Sequence, residues 1–192
     1  MRLLALLALC LTLSSCTTLN ELRALSQVDF AINDVNQTRL AGVNIDNIRS
    51  YEDVGALDAI RIANAVRNKE LPFNFTLNLV GENPESNQTQ ARMVSLDWTL
   101  FLEDRETISG VFNDEVVLPP GSPVNIPISM EVDLYRFFGD NLPDLVDLAL
   151  SISGQGGAPK NIRLNATPSI NTPIGPIRYP GEITIVSRQV GG

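Results

Sequence analysis

Three features of this chain predict a mainly β protein, an antiparallel β-sandwich with two inserted α-helices. Long stretches alternate apolar and polar residues with a period of two, as strands with one wet and one buried face require. The turn-rich pieces "GENPESNQ", "EDRETISG" and "PPGSP" interrupt those stretches. Only two segments show strong helical periodicity, so the strand–helix rhythm that builds parallel sheets is missing.

The alternation starts at "SQVDFAINDVN", where Val28, Phe30 and Ile32 alternate with Asp29, Ala31 and Asn33. A second strand is expected in "RLAGVNIDNI", with Val43 and Ile45 on one face. The clearest β region follows Pro72. Phe73, Phe75, Leu77 and Leu79 share one face, and Val94, Leu96, Trp98, Leu100 and Leu102 share another. A third stripe runs from Val124 through Ile126, Ile128, Met130 and Val132 to Leu134. Pro127 has no N–H to give a ladder, so that strand is expected at a sheet edge. The last β pieces are "NIRLNATPSI" and "EITIVSR", separated by the proline-punctuated turn "NTPIGPIRYPG".

The first helix is expected between Ser50 and Lys69, with Ser50 and Asp53 as a capping pair and Arg67 and Lys69 at its C-terminus. Its inner face is expected to carry Ala56, Ala59, Ile60, Ala63 and Val66, packed closely on a sheet. The second lies in "DNLPDLVDLALSISG", capped by Asp140 or Asn141 and closed by Gly154. Leu142, Leu145, Val146, Ala149 and Ile152 form its inner stripe, with Asp144, Asp147 and Ser151 outside.

Ahead of the first strand, Arg2 and the apolar run from Leu3 to Leu13 have the form of an export signal. The run is shorter than the ~20 residues that span a bilayer. Leu13-Ser14-Ser15-Cys16 resembles the bacterial lipobox, where small residues precede a cysteine that takes a diacylglycerol before cleavage. The expected organisation is a lipoprotein signal peptide at 1–15, a lipidated N-terminus and tether at 16–25, and a sandwich domain at 26–190. Membrane attachment then comes through acyl chains on Cys16, and more than one chain is needed for a stable anchor. The resemblance implies a bacterial cell envelope. Thr17 is not the aspartate that retains enterobacterial lipoproteins at the inner membrane, so a host with two membranes would carry the anchor in the outer one, facing the periplasm.

Composition narrows the chemistry. The chain has 14 basic and 22 acidic residues, a net charge of −8, which argues against nucleic acid as a partner. It has no histidine and two cysteines, Cys10 and Cys16, both in the first segment. The common metal ligands and nucleophile–base arrangements are therefore scarce, and no catalytic, cofactor-binding or metal-binding residue is expected. Asp97, Glu103, Asp114 and Glu115 are the carboxylates available for hydrolytic work, and their positions suit solvation better. The interaction candidate is the stiff loop "INTPIGPIRYPG", whose Ile174, Ile177 and Tyr179 could face a partner or fold inward.

Asn83-Pro84 after a strand, "FLEDRETISG" as a loop and return, and Pro119-Pro120-Gly121 before the next strand carry a family likeness. So does the closing "TPIGPIRYPGEI". Together they resemble the type 2 late-embryogenesis-abundant domain, also termed the water-stress and hypersensitive-response domain, over most of residues 26–186. The resemblance implies an immunoglobulin- or fibronectin-III-like sandwich and a role in desiccation or stress tolerance. It supplies no catalytic residues. The expected function is a lipid-anchored, non-enzymatic envelope protein that binds a protein, polymer or lipid partner. The alternative is a periplasmic carrier of a lipid or other apolar ligand, held between the sandwich and the alanine-rich helix.

Overall fold

The computed structural model describes residues 20–138, 142–156, 161–172 and 175–186. Residues 20–25 form a first helix, α1, which buries Ala24 and Leu25. The elements that follow are β1 (Asp29–Leu40), β2 (Val43–Asn44), α2 (Ala56–Arg67), β3 (Pro72–Glu82), β4 (Ala91–Met93), β5 (Ser95–Leu102) and β6 (Arg105–Phe112). After them come β7 (Val116–Leu118), β8 (Pro123–Asp133), α3 (Leu134–Phe138), α4 (Leu142–Ile152), β9 (Ile162–Thr172), β10 (Gly175–Arg178) and β11 (Ile183–Val186).

The strands form two antiparallel sheets and a small clip. One sheet has the order β2-β1-β3-β8, the other β10-β9-β5-β6 with β11 also on β9, and β4 pairs with β7. The expected mainly β sandwich with inserted helices is what forms. Its core is built from the predicted stripes: Phe73, Phe75, Leu77 and Leu79 of β3 face Leu96, Trp98, Leu100 and Leu102 of β5 within one buried cluster. β8 is an edge strand, as Pro127 requires, and its inward residues Ile126, Ile128, Met130 and Val132 are all buried.

Several elements depart from expectation. Arg39 and Leu40 belong to β1, not to a second strand, and only Val43 and Asn44 pair back as β2. Register shifts between Ile32 and Asp34 and between Asn36 and Arg39 insert extra residues into β1. Its buried positions consequently run Ile32, Val35, Thr38, Leu40 instead of every second residue. "EDRETISG" is also mostly strand. Glu103 and Asp104 both adopt positive φ, 50° and 60°, and make the two-residue hairpin into β6.

The helix expected between Ser50 and Lys69 begins later than its sequence signals. Ser50 donates from its backbone N–H and hydroxyl to Asp53 at 3.0 Å each, but this closes a single 3₁₀ turn, Tyr51–Asp53. α2 then starts at Ala56 behind Gly55. Its buried residue is Ile62, not the alanine stripe; Ala56, Ile60 and Ala63 are exposed. Helical residues three and four apart share a face, so Ile62 inward turns Ala59, Ala65 and Val66 toward the domain and leaves Leu57 and Ile60 outside.

α4 is more deeply set than expected. Leu145, Val146, Ala149 and Ile152 are buried as predicted, but Leu148, Leu150 and Ser151 are too. Ser151 is thus not an outer residue; Asp144 and Asp147 are. Gly154, at φ 71°, ends the helix while the Gln155 N–H reaches back to the Leu150 carbonyl at 3.0 Å. The proposed caps Asp140 and Asn141 lie outside the described residues.

Register fixes which loops share an end. Asp29 of β1 and Pro123 of β8 both pair with Glu82, the last residue of β3, while Ser169 of β9 pairs with Ser95, the first of β5. α1, the 83–93 segment and the β6–β8 connection therefore gather at one pole. α2, α3 and α4 enter at the opposite pole, where Pro72 faces Asp133 and Ile162 faces Leu102.

Candidate functional site

The expected site residues fall in different places. Cys16 and Ile174 lie outside the described residues. Ile177 sits in β10 opposite Ile170 and is 44% exposed, whereas Tyr179 is half-buried and its N–H donates to the Pro168 carbonyl at 2.8 Å. Beside them Arg178 pairs with Asp97 of β5. The β9–β10 hairpin extends β9 past the start of β5, on the pole that carries α1.

At that pole Asn83, matched by the family resemblance, is wholly buried and fully partnered. Its amide donates to the carbonyls of Leu118 at 2.9 Å and Thr89 at 3.1 Å, and its Oδ1 accepts from Asn87 at 2.6 Å. Its carbonyl accepts from Gly121, whose φ of 68° suits glycine. This is a structural clamp joining three loops.

The most developed surface feature is one that the expected loop did not include: the outer face of the β1–β3–β8 sheet. Alternation turns Asn74, Thr76, Asn78, Val80 and Glu82 of β3 away from the apolar core, although Thr76 and Asn78 are themselves buried by their neighbours on this face. The register lays them in rows, Arg39–Asn74–Glu131 and Asn36–Thr76–Ser129. Next come Asp34–Asn78–Pro127 and Ala31–Val80–Asn125. Three concavities follow these rows, of about 540, 380 and 300 Å³.

The largest is lined by Arg39, Asn44, Asp46, Asn74 and Glu131, with Gln37 at its rim; Phe75 and Met130 border it but bury their side chains in the core. Gln37 stands at φ 53° within the second bulge of β1, and the same bulge turns Thr38 inward. Asp46 accepts from the Thr38 hydroxyl at 2.6 Å, the Thr38 N–H at 2.8 Å and the Asn44 amide at 3.2 Å. Burial pushes the Asp46 carboxyl up, but these donors and the Arg39 charge together outweigh it and hold it below its usual range. Asn74 donates to Glu131, Asn78 donates to Asp34 at 2.6 Å, and Asn125 donates to Asn78 at 3.3 Å. The sequence signal for this surface was the run of amides on the wet side of β3, which by itself reads as solvation.

Among the described residues no three His, Cys, Asp or Glu side chains stand close enough to hold a metal ion. No described helix is long and apolar enough to cross a membrane.

No protein-family model matches the chain, and no curated protein matches it. Among solved structures, a crystal structure of a protein from Archaeoglobus fulgidus is similar at 13% identity and a TM-score of 0.37, covering 82% of this chain and 94% of that one. A solution structure described as a late-embryogenesis-abundant protein is similar at 12% identity and a TM-score of 0.35, covering 97% of this chain and 87% of that one. At such TM-scores the architecture rests on this chain's own strand pairing.

Proposed function

We propose that this chain is a lipid-anchored, non-enzymatic protein of a bacterial cell envelope, whose domain of the type 2 late-embryogenesis-abundant kind binds or protects an envelope component under desiccation or related stress. The observation that carries the reading is a spacing. A lipobox-like Leu13-Ser14-Ser15-Cys16 stands four residues ahead of Asn20 of helix α1, which buries Ala24 and Leu25 in the core. Acyl chains on Cys16 would hold the α1 pole against a bilayer, and the outer membrane, facing the periplasm, is the favoured site in a host with two membranes. The β1–β3–β8 face would then stand along the side of the domain, open to a partner in the envelope.

The carrier alternative set its cavity under the α2 stripe, of which Ala59 and Val66 face the domain while Ala56, Ile60 and Ala63 are exposed. The anchor is tested by growing cells with radiolabelled palmitate. Label on the native chain, together with fractionation into membranes, is expected, and both should vanish in Cys16→Ala. Label that persists in that variant would remove the anchor from the reading.

A further inference from the structure

We infer that two copies of this chain pair through the outer face of α2, in a two-fold, antiparallel helix contact centred on Ile60. The inference goes beyond the binding reading above and does not depend on the anchor. Leu57 and Ile60 are the two most exposed large apolar side chains among the described residues, at 76% and 57%. At 3.6 residues per turn, Ile60 and Asn64 point almost directly away from buried Ile62, with Leu57 and Arg67 beside them. Ala56 and Ala63 flank that ridge and are exposed as well. A twelve-residue helix with one buried side chain is held weakly by its own domain, so a contact on its outer face has much to stabilise.

The charges select a second copy as the occupant. Glu52 and Asp53 stand exposed just ahead of the helix, and Arg67 and Lys69 stand exposed at its far end. Asp58 and Arg61 neutralise each other at 3.0 Å. Arg49 ahead of the acidic turn and Glu70 beyond Lys69 reduce the contrast, yet the N-terminal end stays net acidic and the C-terminal end net basic. Glu52, Arg67 and Lys69 form no ion pair among the described residues. The face is therefore complementary to itself turned end for end, as a two-fold interface requires.

A two-fold axis at Ile60 sets the register. It stacks Ile60 on Ile60 of the second copy, Leu57 on Ala63 and Ala56 on Asn64, so each alanine meets a larger residue and the helix axes can approach closely. The same register brings the Glu52–Asp53 turn of each copy alongside Arg67 and Lys69 of the other. A bilayer is disfavoured as the occupant, because α2 enters at the pole opposite α1, from which the chain leads to Cys16. One helix of about 18 Å buries less than the roughly 1,600 Å² of a standard interface. A Kd of about 10–100 µM is therefore expected, with single copies at low micromolar concentration.

The test uses the full chain in a mild detergent, followed by sedimentation velocity from micromolar to near-millimolar concentration. A concentration-dependent rise from one copy to two is expected. Ile60→Asp should raise the dimer Kd by about tenfold or more. Arg67→Glu and Glu52→Arg should each weaken association, and combining them, which restores opposite charges across the axis, should recover it. Ile60→Cys in a Cys10→Ser, Cys16→Ser background should form a disulfide-linked dimer on mild oxidation. Val111→Cys and Val186→Cys, similarly exposed on the five-stranded sheet, should not. The substituted positions are exposed, so each variant is expected to melt like the native chain at low micromolar concentration. A single-copy mass throughout, association unchanged by Ile60→Asp, equal linking at Val111 or Val186, or a combined charge variant no tighter than the single ones would overturn the assignment. The linking assay lacks Cys16, which separates its outcome from a failure of the anchor.

Discussion

Asn87 donates to the Oδ1 of Asn83 at 2.6 Å and, from the same amide nitrogen, to the carbonyl of Ala24 at 3.3 Å. Through that pair the helix that leads out of the N-terminal segment is tied to the clamp holding β3, β4 and β7 together. Asn83→Ala would strip partners from two carbonyls and from Asn87 at a wholly buried position. A loss of about 2–4 kcal/mol is expected, read as a lower urea midpoint with unchanged slope. Asn83→Asp should be at least as damaging, because a carboxylate would face two carbonyl acceptors.

Gly110 lies directly under the Trp98 indole. A Cβ at Gly110 would stand 2.4 Å from Cζ2 of that ring, so the strand pair admits the tryptophan only because β6 has no side chain there. Gly110→Ala should cost about 1–3 kcal/mol by overpacking and shift the emission of the sole tryptophan. Adding Trp98→Leu should recover part of the loss. If the double variant is no more stable than the single, contact with the indole is not the cause.

How much of this was legible in the sequence varies by element. The stripes of β3, β5 and β8 were plain because each strand alternates without interruption and pairs in continuous or nearly continuous register. β1 was legible only to Asn33, since its bulges put three-residue steps between Ile32, Val35 and Thr38, and a two-residue period cannot register them. The α2 face was misjudged because alanine fits either side of a helix, so the stripe was fixed by where Ile62 packs. The polar face of the β1–β3–β8 sheet was hidden for another reason: Asn36, Asn74 and Asn78 read as ordinary wet-face residues until register brings β1, β3 and β8 side by side.

The corrected α2 face can be checked directly. Ile62 is 1% exposed, whereas Leu57 is 76% exposed. Ile62→Ala should cost about 2–4 kcal/mol through the cavity it leaves, while Leu57→Ala should stay within about 0.5 kcal/mol of the native chain. Equal losses at the two positions would mean that Ile62 does not define the inner face of α2.

Asp46 connects the outer face of the β1–β3–β8 sheet to acid stability. Its carboxyl is held below its usual range by Thr38, Asn44 and Arg39, so the folded state favours the ionised form more than the unfolded state does. The stabilisation is therefore fully present above the unfolded value, 3.8, and is lost as pH falls from there through the lowered folded value. Asp46→Asn keeps the shape but places an amide nitrogen or a neutral oxygen against the Thr38 hydroxyl and N–H. At neutral pH the variant should melt below the native chain. Toward pH 3 and lower the two melting curves should converge, because the native carboxyl becomes protonated and gives up the same advantage. A melting difference that stays constant from neutral pH down through that window would mean that the charge of Asp46 contributes nothing, and that its contacts hold the bulge by shape alone.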